Sequence, residues 1–170
     1  RTVGRFLLLG SASGKLLRQS SESLAGRIRY MELGPFSLSE VLGENQDSTE
    51  ITSKLWLRGG FPKSFLASNE QESLSWRKDF IRTFLARDLP AFGITTPLET
   101  MHRFWKMCAH LHGQVMNVSQ LGLSLGGISD TSVKRYIDWF VDAFMLRRLP
   151  PYLANVGKRL VKSPKAFIRD

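Results

Sequence analysis

A mixed α/β chain, mostly α, is what this sequence predicts, on three observations. Residues 5–42 alternate a short apolar run, helical spacing, a second apolar run and a capped helix start, the order of an α/β sheet unit. Residues 68–88 and 98–111 carry apolar side chains at helical spacing. Residues 118–149, VSQLGLSLGGISDTSVKRYIDWFVDAFMLRRL, read as a helix-turn-helix running into a wing strand.

Each element follows from local chemistry. Residues 5–9 form an apolar run stopped by Gly10-Ser11, as a buried strand would be. Residues 14–24 place Leu16, Leu17 and Leu24 for a helix that Gly26 closes. Residues 29–33 read as a second strand ended by Gly34-Pro35, and Ser37 with Glu40 makes a capping box for a helix over 37–42. Residues 45–53 are polar and read as a loop. Over 54–66, Gly59-Gly60 and Pro62 interrupt helical spacing. Ser68 or Asn69 caps the helix over 68–88, with Pro90 and Gly93 ending it. Gly113 ends the helix over 98–111.

The charge is uneven. The 170 residues carry a net charge of +9 and a pI near 10.1, which favours polyanionic partners. Residues 134–170 hold nine basic and three acidic residues, so +6 of the +9 lies in the last 37 positions. Cys108 is alone and reads as a small buried residue. His102, His110 and His112 match no zinc spacing with it, which excludes a familiar metal site. The apolar run near the start is too short for a secretory leader, and no run of about 20 apolar residues could span a membrane. A cytoplasmic setting is expected, as an internal stretch of a longer chain.

The 118–149 stretch supplies the candidate site. Val133, Tyr136, Ile137, Phe140, Val141 and Phe144 form the inward stripe of its second helix, capped by Ser129. Asp130, Ser132, Lys134 and Arg135 then face outward near that helix's start, where a recognition helix touches nucleic acid. Arg147 and Arg148 on the wing are placed for phosphate, with Lys158, Arg159, Lys162 and Lys165 in support. The competing expectation is a protein-interaction or oligomerisation module, marked by exposure of Trp56, Phe61, Phe65, Trp76, Phe104 and Trp105. No paired carboxylates, triad or metal set assembles into an enzyme site.

Six segments carry a family resemblance: RFLLLGSAS, SESLAGR, ELGPFSLSEV, LWLRGGFP, WRKDFIRTFLARDLP and RRLPPYLANVGKRLVKSPKAFIRD. Together they resemble bacterial and archaeal AAA-type ATPases with a C-terminal domain of unknown function. The resemblance implies the remnant of a P-loop ATPase sheet over 1–43 and a helical connector over 44–97. A winged helix over 98–151 and a basic tail or the start of a nuclease-like domain over 152–170 would follow. It also implies ATP and magnesium in the parent protein, Ser11 (or Ser13) as a sensor and Arg27 as an arginine finger. The implied partners are the parent's ATPase and C-terminal domains, nucleic acid and further copies, with no membrane. This chain has no G-x-x-x-x-G-K-S/T loop, so no hydrolysis is expected of it alone.

Overall fold

The computed structural model describes residues 7, 27, 29, 31–43, 47–91, 93–151 and 163–169. The chain divides into two compact units, one of residues 29–102 and one containing residues 103–169. The described residues are mostly helical, with one two-stranded sheet. The strand and helix expected over 5–24, and Ser11 with them, lie outside the described residues apart from Leu7.

In the first unit, the strand expected over 29–33 is not formed. Its described residues are irregular, with Met31 85% and Leu33 96% exposed. A strand this short needs a ladder partner, and none pairs with it among the described residues. Helix α1 (Leu38–Val41) does start at the capping box. The Glu40 carboxylate accepts from the Ser37 backbone N–H and hydroxyl, both at 2.8 Å. Those two donors, the backbone one first, hold the Glu40 carboxyl below the usual carboxylate range.

Helix α2 (Ser48–Arg58) corrects the loop expected over 45–53. Asp47 accepts from the Thr49 N–H at 2.8 Å and caps it, and Glu50 sits favourably in its first turn. Gly59, at φ +73°, ends it in a conformation that favours glycine. Helix α3 (Pro62–Phe65) starts on a proline, whose missing N–H costs nothing there.

Helix α4 (Glu70–Thr83) is capped by Asn69, which accepts from the Glu72 N–H at 2.9 Å. The helical path continues through a wider π turn (Phe84–Asp88) into α5 (Leu89–Ala91), past the stop expected at Pro90. A proline inside a helix lacks a donor and crowds the carbonyl four residues back. One wide turn ahead of it accommodates both. Phe65, Phe84, Leu85, Leu89 and Ile94 are buried in this unit. The Trp76 and Phe80 rings stack at 5.3 Å, and Phe61 lies 5.0 Å from Phe80.

The second unit holds α6 (Leu98–His110) from Arg103 onward, α7 (Val118–Ser124), α8 (Asp130–Asp142), β1 (Leu146–Leu149) and β2 (Lys165–Ile168). The strands pair antiparallel, with Leu146 opposite Ile168, Arg147 opposite Phe167, Arg148 opposite Ala166 and Leu149 opposite Lys165. The described part of the expected tail is therefore a sheet strand, with Ala166 fully buried. Residues 112–116 run along the other edge of β2. There the Gly113 N–H donates to the Ala166 carbonyl at 2.7 Å, and the Ala166 N–H to the Gln114 carbonyl at 3.2 Å. His112 extends this ladder with its side chain, since Nδ1 accepts the Ile168 N–H at 3.1 Å.

Cys108 is fully buried on α6, and burial pushes its thiol up to about 12. The thiolate is the nucleophile, so the folded chain holds this cysteine unreactive. A maleimide or disulfide reagent is expected to label Cys108 only after denaturant unfolds the chain. Rapid labelling of the native protein, read by intact mass, would show the burial to be wrong.

Candidate nucleic-acid interface

The site is built from α7, the turn and α8. Asn117 caps α7 by accepting from the Gln120 N–H at 3.0 Å. Gly126 (φ +95°) and Gly127 (φ +83°) carry the chain through the reversal, in a region where a side chain is strained. Ser129 then caps α8, accepting from the Ser132 N–H at 3.3 Å. Ser119 on α7 donates to Asp130 at 2.6 Å and ties the two helix starts together.

The inward face of α8 is anchored by aromatic contacts. Val133, Tyr136, Ile137 and Phe140 are buried, while Val141 and Phe144 are half-buried. Phe104 meets Tyr136 and Phe140 edge-on at 5.7 and 5.1 Å, and Trp105 meets Phe140 at 5.3 Å. The helix ends with Phe144 in the left-handed region (φ 59°), its ring 5.5 Å from the Arg169 guanidinium. That residue turns the chain into β1, which fixes how Arg147 and Arg148 are presented.

The described basic residues among those predicted divide between α8 and the two faces of the sheet. Lys134 is exposed on α8, with no acid of the described residues within ion-pair distance. Arg135 is exposed, and its guanidinium lies 5.3 Å from the Trp139 ring, itself stacked on Tyr136. Ser132 is half-buried, its hydroxyl bonded to Ser129 at 3.1 Å.

Arg148 is paired with Asp138 of α8 at 2.7 Å, so part of its charge is already spent inside the unit. Nothing in local spacing reveals that pair, which joins a helix to the strand after it. Arg147, one residue earlier, points to the opposite sheet face together with Lys165, because side chains alternate along a strand. Lys158, Arg159 and Lys162 lie outside the described residues. Arg27 is exposed in a turn.

Gly122 is the position that sequence reasoning missed. A Cβ there would collide with the Ile128 carbonyl oxygen and press on Val133 at 3.4 Å. The Gly122 carbonyl also accepts from the Gly127 and Ile128 N–H groups, each at 3.0 Å. A glycine inside a helical pattern was the available signal, since it usually marks a close approach. Among the described residues no group of three or more His, Cys, Asp or Glu could hold a metal ion. No helix among them is long and apolar enough to cross a membrane.

This geometry defines a small helical unit closed by a short antiparallel sheet, presenting one basic helix start and one basic sheet face. Its family is shown by comparison: a domain of unknown function (DUF8612) matches residues 49–170, and the chain belongs to that family. An AAA domain matches residues 1–42. An uncharacterized protein of Mycobacterium tuberculosis and one of Mycobacterium bovis are each 45% identical to this chain over 166 residues. That alignment covers 98% of this chain and 36% of each relative, so the chain spans about a third of their length. No solved structure matches it.

Proposed function

We propose that this chain is part of an AAA-type ATPase and that its 103–169 unit is a winged helix that contacts nucleic acid without strong sequence preference. The observation that carries the reading is the chain order. Helix α6, the ladder segment 112–116, α7, α8, β1 and β2 follow one another as the helices and strands of a winged helix do, with Lys134 and Arg135 exposed on its second, capped helix. Arg147 and Arg148 lie on the wing strand in this reading, and Lys158, Arg159 and Lys162, outside the described residues, follow it in the sequence. Phosphate contacts by such residues position a duplex but carry no base code.

ATP and magnesium belong to the parent protein in this proposal. This sequence lacks the glycine-rich lysine loop that would cradle phosphates, so no hydrolytic step is assigned to it. Ser11 as a sensor and Arg27 as a finger acting on a neighbouring copy remain roles suggested by the family resemblance alone.

The test is a fluorescence-anisotropy titration of a short DNA duplex across a salt series, beside a Lys134→Glu/Arg135→Glu variant. Binding should weaken steeply with salt, and the variant should bind at least about tenfold more weakly, with a salt slope shallower by about two. Absence of binding at low salt, or a variant indistinguishable from the native chain, would defeat the reading. The protein-docking alternative rests on Trp56, which is 91% exposed, with Leu57 and Leu66 also exposed. Phe65 and Phe104 are buried, and Phe61, Trp76 and Trp105 are half-buried, so most of the aromatic load is spent on folding.

A further inference from the structure

The sheet has a face that buries none of its residues against the described helices. Directly paired residues share a face, so Arg147, Leu149, Phe167 and Lys165 lie together on one side. Leu146, Arg148 and Ala166 lie on the other, where Leu146 and Ala166 are buried and Arg148 meets Asp138 of α8. Residues 112–116 extend the first face. Val115 bridges to Lys165, and the His112 ring meets Phe167 edge-on at 5.4 Å.

The result is two rows across three chain segments. One row runs Arg147 and Phe167, with Gly113 beside the Phe167 ring; the next runs Leu149, Lys165 and Val115. We propose that this outer sheet face binds single-stranded nucleic acid, with a base stacking on Phe167 and neighbouring phosphates held by Arg147 and Lys165.

Charge and shape favour this occupant. The face includes two full cations and no acid, and neither Arg147 nor Lys165 has an acidic partner among the described residues. Phe167 sits on the middle segment and is half-buried, so its ring is held in place while part of it stays open. Leu149 and Val115, 48% and 47% exposed, supply apolar ground for a second base or sugar. Three segments at about 4.8 Å spacing make a face roughly 10 Å across, wide enough for one strand of bases. Every base has a flat face, so stacking on a ring combined with cations at the backbone gives binding that tolerates any sequence. The proposal deepens the nucleic-acid reading, keeping Arg147 and Lys165 as phosphate contacts and adding a base stacked on Phe167, and it uses neither Lys134 nor Arg135.

The test compares two probes on the full chain by anisotropy at low salt: an oligothymidylate of about twelve nucleotides and an abasic deoxyribose-phosphate strand of the same length. The native chain should bind the base-bearing strand about tenfold more tightly. Phe167→Leu should lose most of that preference while keeping its binding to the abasic strand. Arg147→Glu/Lys165→Glu, both at exposed positions, should weaken both probes about tenfold or more, and it decides the matter should Phe167→Leu not fold. Lys78→Glu, exposed on α4 of the other unit, should leave the preference unchanged. Equal binding of the two probes, a preference that survives both face variants, or no binding of either strand would overturn the proposal. The last outcome would leave the face to a protein partner.

Discussion

Replacing Arg58 by methionine is expected to destabilise the 29–102 unit by about 3 kcal/mol, more than any surface charge change in it. Arg58 ends α2 and is only 8% exposed, an unusual place for an arginine. Its guanidinium reaches over the next loop, donating to the backbone carbonyls of Phe65 and Ala67 and to Glu70 at 2.8 Å. Ser64, fully buried, donates back to the Arg58 carbonyl and meets the Ser73 hydroxyl at 2.9 Å. One side chain thus fastens α2, α3 and the start of α4 around the Gly59-Gly60 reversal.

Methionine keeps the apolar stem and removes every donor, leaving the buried Phe65 carbonyl and the part-buried Ala67 carbonyl without it. The ion pair itself matters less, because Glu70 is 55% exposed and screened. Glu70→Gln is therefore expected to cost less than about 1 kcal/mol. Urea midpoints for the two variants, with hydrogen exchange over residues 59–75 to localise the loss, separate the carbonyl clamp from simple charge pairing. Equal losses in the two variants would rule the clamp out.

That clamp shows where sequence reading stops. LRGGFP is recognisable as a motif, and its glycines and proline announce a reversal, but nothing local says that the arginine turns inward. Elements governed by neighbouring residues were legible: the Ser37–Glu40 box, the Asn69 and Ser129 caps, the Gly126-Gly127 turn and the four buried residues of α8. Helix α2 was missed because a polar first turn hides its apolar side chains, although Asp47 followed by Glu50 has cap spacing.

Long-range pairing was the other blind spot. Leu146 meets Ile168 across the whole β1–β2 connection, so KAFI reads as tail until its partner is known. The candidate site suffered the same loss. Arg147 and Arg148 look alike in sequence, yet alternation places one on the free face and the other against Asp138. The family match covers this region and leaves its activity open.

Gly122→Ala carries the second large effect, and its sign discriminates between two accounts. Were Gly122 an ordinary helical glycine, alanine would stabilise α7 by about 1 kcal/mol through propensity alone. The structure predicts the reverse, a loss of about 2–3 kcal/mol, because the new methyl would meet the Ile128 backbone carbonyl rather than a side chain that can rotate away. Relief requires α7 to move from residues 126–128, which stretches the Gly127 and Ile128 hydrogen bonds to the Gly122 carbonyl. It also disturbs the Ser119–Asp130 tie that sets the start of α8. If the proposed duplex contact holds, the variant should therefore also weaken it through misplacement of Lys134 and Arg135, with neither cation removed. Gly126→Ala is the matched control: no atom lies within 4 Å of its added carbon, and its positive φ alone should cost about 1–2 kcal/mol. Thermal and urea unfolding of the two variants decide between the accounts. A Gly122→Ala chain at least as stable as the native one would refute the close approach, and with it the idea that this contact sets the angle at which α8 meets its partner.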